Sequence, residues 1–172
     1  MALLNDEFLG NINKEHHKIF DKYIMGLFDN FSNVKTAKTT ELSPAESFAG
    51  IMLAIIAADG YLANEETQNL ITTLYRMKLF QSYPSDHVSR MIGKLMKIMQ
   101  TNNVDVLLNV SVQSLPEYLH ETVFAVATDL LLSDGEVSDK EEYILSKLCN
   151  CLSIDQDKVN KIIEVMIIKN KG

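Results

Sequence analysis

Ile51-Met52-Leu53-Ala54-Ile55-Ile56-Ala57-Ala58-Asp59-Gly60, followed by Glu65-Glu66, is the stretch whose reading decides the fold. The same order returns downstream as Leu130-Leu131-Leu132-Ser133-Asp134-Gly135, followed by Glu141-Glu142. Aligned on the Asp-Gly pairs, Leu62 falls on Val137, Glu66 on Glu141 and Leu70 on Leu145. An apolar run that leads into Asp-Gly reads as a buried helix with a sharp stop, because glycine supplies the positive φ that a helix C-terminal turn takes. An amphipathic run follows each pair after a short loop. Two helices joined in this way make an αα-hairpin, and the phrase predicts two of them.

Upstream of the first copy, Ser43-Pro44-Ala45-Glu46 combines an N-cap, a proline at the first helical position and a glutamate at the third. It predicts a helix from Pro44 to about Ala58. The next helix opens at Ala63 or Asn64 and ends near Lys78. Gln81-Ser82-Tyr83-Pro84-Ser85 is a turn with a capping serine, and Val88, Met91, Ile92, Leu95 and Met99 then mark one helical face up to about Gln100. Thr101-Asn102-Asn103 breaks the chain, and Val104 to Val110 reads either as a short helix or as an irregular connector. In the second copy a helix is predicted from Pro116 to Ser133, with Ser114 as its cap. Ser138 with Glu141 forms a capping box for the following helix. Asp155 caps a last helix with Val159, Ile162, Ile163 and Met166 on its buried face.

The first 34 residues carry Phe8, Ile12, Ile19, Tyr23, Leu27 and Phe31 at helical spacing, and residues 35–42 are polar and aperiodic. The expectation is an all-α chain of seven or eight helices. Residues 1–40 form an N-terminal helical arm and linker, and residues 41–172 a helical domain of two pseudo-symmetric helix–hinge–helix units. Composition agrees: 7 Gly and 3 Pro in 172 residues leave little punctuation for many short strands. The run from Phe48 to Ala58 is too short to cross a bilayer, which takes about 20 apolar residues. No basic segment opens the chain, so no signal peptide is expected.

A net charge of −7 argues against nucleic-acid binding, which needs a basic stripe to displace counterions. It is compatible with cation binding and equally with a plain acidic surface. Cys149 and Cys151 are too few for a closed zinc site and too close in sequence for a structural disulfide, so free thiols are expected.

The spacing Asp-Gly-x5-Glu invites comparison with a calcium loop, in which glycine sits at position 6 and a bidentate glutamate at position 12. The first half of that loop fails. Its ligand positions would be Ile55 and Ala57 in one copy and Leu130 and Leu132 in the other. A simpler metal reading survives: Asp59 with Glu66, and Asp134 with Glu141, set carboxylates on both sides of each hinge, suited to a hard cation such as Ca²⁺ or Mg²⁺. The same residues serve equally as caps, the aspartate in the turn and the glutamate in the first helical turn. Glu117-Tyr118-Leu119-His120 matches one half of a di-iron motif, but no second motif accompanies it. His17 and Asp21 stand one helical turn apart, as a metal pair or a surface hydrogen bond do. Asp129 interrupts an apolar helix, on its solvent face or as a buried acid. No catalytic relay and no phosphate loop can be assembled from these residues.

The doubled phrase, Ile51 to Gly60 with Glu65-Glu66 and Leu130 to Ser138 with Glu141-Glu142, resembles the TerB-like tellurite-resistance family over roughly residues 41–170. The resemblance implies an all-α fold in two pseudo-symmetric halves. It also implies a cytoplasmic, non-enzymatic role in tellurite resistance or a broader stress response, in complexes with other stress-response proteins near the membrane. It carries a metal-binding role onto Asp59, Glu66, Asp134 and Glu141. Ala63 departs from the pattern where Ser138 stands in the second copy, so the two hinges are not equivalent. The alternative expectation is a protein–protein interaction module, without metal, that uses an apolar groove between the arm and the repeats.

Overall fold

The computed structural model describes residues 41–57, 64–132 and 139–171, and within them the side chains of all but residues 85 and 139–144. Every regular element among them is helical. Seven α-helices follow one another: α1 (Pro44–Ile56), α2 (Asn64–Arg76), α3 (Ser85–Asn102), α4 (Val104–Ser114), α5 (His120–Leu131), α6 (Asp139–Leu152) and α7 (Gln156–Lys169). Short 3₁₀ turns occupy Lys78–Phe80 and Glu117–Leu119. The all-α expectation therefore holds. The predicted arm over residues 1–40, with His17 and Asp21, lies outside the described residues, and so does the groove expected beside it.

The predicted start of α1 is present in full. Ser43 Oγ accepts from the Glu46 backbone N–H at 3.3 Å, and the Ser43 N–H donates to Glu46 Oε2 at 2.8 Å. This reciprocal box satisfies two of the donors that a helix N-terminus leaves open. α1 ends at Ile56 rather than Ala58, with Ala57 closing its last turn onto the Ile55 and Leu53 carbonyls.

From Ser47 to Ile55 every residue of α1 is buried. A helix apolar on all sides has to be surrounded. α4 gives α1 its broadest contact, and α2, α3 and α5 also pack on it. α4 corrects the reading of Val104–Val110 as a short helix or irregular connector, since it is an 11-residue helix at the centre of the packing. Its start at Asn103 is unusual. That residue takes φ 146°, a backbone region that favours glycine, and its side chain accepts from the Val106 N–H at 2.9 Å. Leu107, Leu108 and Ser111 form the buried side of α4.

The approach of α1 to α4 depends on Gly50. A Cβ placed there would stand 2.2 Å from Ser111 Oγ. The hydroxyls of Ser47 and Ser111 are both buried with no hydrogen-bond partner. Small side chains thus bring the two helices close, and two desolvated hydroxyls oppose that gain.

Three further boundaries differ from expectation. α2 ends at Arg76, and the chain turns at Lys78–Phe80 to bury Phe80 edge-on to Phe48, with ring centroids 6.1 Å apart. Ser85 is not a cap, because Pro84 holds the N-cap position of α3 and makes no side-chain bond. Ser114 closes α4 instead of capping the next helix, and α5 begins at His120 because extended Leu115 and Pro116 and a 3₁₀ turn come first. Asp155 does cap α7, accepting from the Asp157 N–H at 3.1 Å.

In the second half α6 and α7 pack onto α5, and in the first α2 and α3 pack onto α1. Leu145, Leu148 and Leu152 of α6 join Val123, Phe124 and Ala127 of α5 and Val159 of α7 in one core continuous with that of α1. The matched leucines Leu70 and Leu145 are both buried. On α7, Val159 is buried, whereas Ile162, Ile163 and Met166 are only half-buried, short of the full face expected.

Candidate hinge site

The two acidic phrases fall where α1 hands over to α2 and where α5 hands over to α6. Of the four candidate ligands, Glu66 is described: it stands in the first turn of α2, half-buried, next to exposed Glu65. Asp59 and Asp134 lie outside the described residues. Glu141 belongs to the first turn of α6, and its side chain lies outside the described residues. A glutamate at the start of a helix favours the positive end of the helix dipole whether or not it also holds a cation. Ser138, the predicted cap of α6, is likewise outside. Among the described residues no group of three or more His, Cys, Asp or Glu side chains is gathered in metal-binding geometry.

The remaining candidates have structural employment. His120 does not face a second carboxylate motif. Its Nδ1 lies 2.9 Å from the Leu152 carbonyl and its Nε2 3.3 Å from the Leu115 carbonyl, while Glu117 is exposed. Asp129, on the half-buried side of α5, is held by Lys169 Nζ at 2.7 and 2.9 Å and by Asn170 Nδ2 at 3.2 Å. His87 is exposed at the start of α3 and stacks on Tyr83.

Cys149 and Cys151 are free and half-buried, as expected. Burial pushes both thiols above their ordinary value, and Lys147 only partly offsets this at Cys151. A thiol held protonated is a poor nucleophile and a poor metal ligand. Lys147 itself pairs with Asp105 at 3.1 Å and ties α6 to α4.

Two features were not read from the sequence. One is the set of ion pairs between the first and third helices of each half, Glu46–Lys94 and Asp129–Lys169, together with Glu121–Lys158. They join residues far apart in the chain, so no local pattern announces them. The other is the exposed apolar side of α7 at Val165 and Ile168. The run Val165-Met166-Ile167-Ile168 is visible in the sequence, but only the packing tells which of its residues are covered.

Among the described residues the fold is thus a helical bundle in which α2, α3 and α4 pack on α1, and α6 and α7 on α5. Comparison with protein-family models, with curated proteins and with solved structures gave no match, so the TerB-like resemblance rests on the doubled Asp-Gly phrase alone. Among the described residues no helix is long and apolar enough to cross a membrane.

Proposed function

We propose that this chain is a non-catalytic, TerB-like helical module of a cellular stress response whose acidic hinges bind a divalent cation, Ca²⁺ or Mg²⁺. The observation that carries the reading is the placement of the doubled phrase at two helix–helix joints, with Glu66 set in the first turn of α2 at the first of them. Carboxylate oxygens are the donors that hard cations select, and a hinge offers them from two helices at once. In this reading Asp59 and Glu66 hold one ion, and Asp134 and Glu141 another. The role in tellurite resistance, the cytoplasmic location and the assembly with other stress-response proteins near a membrane come from the resemblance and belong to the same proposal.

Calorimetry tests it directly. The full chain should release or take up heat with Ca²⁺ or Mg²⁺, and the double variant Asp59→Asn, Asp134→Asn should lose that heat while keeping its helical circular dichroism. Silence of the wild type toward Ca²⁺, Mg²⁺, Mn²⁺ and Zn²⁺ would end the metal reading. A second reading, an interaction module without metal, is favoured by the exposure of Val165 and Ile168 on α7. For self-association through that face, sedimentation of wild type against Ile168→Glu should show concentration-dependent mass in the first and not in the second.

A further inference from the structure

α7 carries an ordered stripe on its outer side. Glu164, Ile168 and Lys171 follow one another at spacings of four and three, which places them on one helical face, and Val165 flanks them. All four are exposed. Lys171 stands in the turn that closes α7, where its N–H donates to the Ile168 carbonyl at 3.4 Å. Ile162, Met166 and Ile167 alongside are only half-buried. Lys158 is engaged by Glu121 and Lys169 by Asp129, whereas Glu164 and Lys171 have no ion-pair partner among the described residues. The face is therefore acidic one turn before its aliphatic centre and basic one turn after it.

Such a face complements itself. Laid antiparallel on a second copy, with a two-fold axis between Ile167 and Ile168, it sets each Glu164 opposite the other copy's Lys171, both about 5 Å along the helix from the axis. A parallel pair would set like charges together. We propose that α7 docks on α7 of a second copy in this antiparallel register, with the aliphatic side chains meeting at the axis and two reciprocal Glu164–Lys171 pairs fixing the register. The proposal rests on the second reading above, an interaction module without metal, and names its partner. Charge favours that partner. Each chain carries −7, so two copies repel overall, but α7 and its closing turn set Lys158, Lys161, Lys169 and Lys171 against only Asp157 and Glu164. Lys161, exposed on the same side, lies about 10 Å from the axis, at the edge of the contact. An anionic lipid surface would meet Glu164 as a like charge, where a second copy meets it with a lysine. One helix side is a small contact, so the dimer is weak and builds up only at high concentration.

Sedimentation equilibrium of the full chain from about 10 μM to about 1 mM tests this. Wild type should gain mass toward a dimer. Glu164→Lys and Lys171→Glu should each weaken the dimer about tenfold, because both reciprocal pairs become like charges. An equimolar mixture of the two variants should regain the wild-type association, since every cross-copy pair is then opposite in charge. The double variant Glu164→Lys, Lys171→Glu should regain it on its own. Both sites are exposed, and unchanged helical circular dichroism verifies that each variant is folded. A wild type that stays monomeric, or a dimer that Ile168→Glu leaves intact, overturns self-association through α7 altogether. A dimer lost in Ile168→Glu, yet no stronger in the mixture and the double variant than in either single variant, leaves the face standing and refutes the antiparallel register.

Discussion

α1 and α7 are both rich in aliphatic residues, and they end in opposite surroundings. α1 is buried from Ser47 to Ile55, because α2, α3, α4 and α5 all pack on it. α7 rests chiefly on α5; of its apolar residues only Val159 is buried, and Val165 and Ile168 are 56% and 62% exposed. The difference traces to α4. It covers α1 in the first half, and no described helix does the same for α5 and α7 in the second. Apolar composition marks a helix as able to enter a core, and the number of neighbours decides whether it does.

The sharpest way to break this comparison is to truncate one side chain in each helix. Phe48→Ala removes a fully buried ring and should cost about 3–5 kcal/mol of unfolding free energy, read from urea denaturation. Ile168→Ala, on the exposed side of α7, should stay within about 0.5 kcal/mol of wild type. If the two costs converge, α7 is covered in solution and the halves are alike after all.

A smaller effect probes α4 itself. Gly50→Ala sets a methyl 2.2 Å from Ser111 Oγ, so the helices must separate or the hydroxyl must move. Overpacking of this kind costs about 1–3 kcal/mol. Ser111→Ala alone removes a buried hydroxyl without a partner and should be neutral or slightly stabilising. Combined with Gly50→Ala it should recover most of the loss, since the next contact, Ser111 Cβ at 3.2 Å, is tight but tolerable. Additive costs in that double-mutant cycle would show that the α1–α4 approach is not what the glycine serves.

The local rules of the chain were legible wherever the cause is itself local. The capping box at Ser43 and Glu46, the cap at Asp155 and the all-α class follow from adjacent residues and periodicity. α4 was not legible as a full helix, because Thr101-Asn102-Asn103 reads as a break, and Asn103, which caps α4, does so from a backbone conformation that its sequence does not advertise. Ser114 and Ser85 were misread because a serine near a proline suits a turn, a cap or a last helical residue equally, and packing of Leu115 and Phe80 made the choice. Of the candidate site, the sequence supplied four carboxylates and their hinge placement. The distances that would make a coordination sphere of them are set by tertiary geometry, which spacing does not encode.

The smallest effect concerns a device that the halves share. In each, the first helix is ion-paired to the third: Glu46 of α1 to Lys94 of α3 at 2.6 Å, and Asp129 of α5 to Lys169 of α7 at 2.7 Å. At Glu46, burial works to raise the carboxyl, but Lys94 and the bonds with Ser43 outweigh it and hold the group below its ordinary 4.5. A depressed carboxylate adds stability that is present above the unfolded value and is lost as pH falls through the folded one. Glu46→Gln keeps an acceptor for the Ser43 N–H and removes only the charge, so it isolates the pair from the cap. Because the Lys94 end of the pair is open to solvent, the variant should lose only about a few tenths of a kcal/mol at pH 7. That gap should close as pH falls through the depressed folded value, where the wild-type carboxyl is itself protonated. At pH 7 Asp129→Asn should cost a similar amount if the two pairs are equivalent. A clearly larger loss at Asp129 would mean that the second half, lacking a counterpart of α4 among the described residues, leans harder on its ion pair to keep α7 in place.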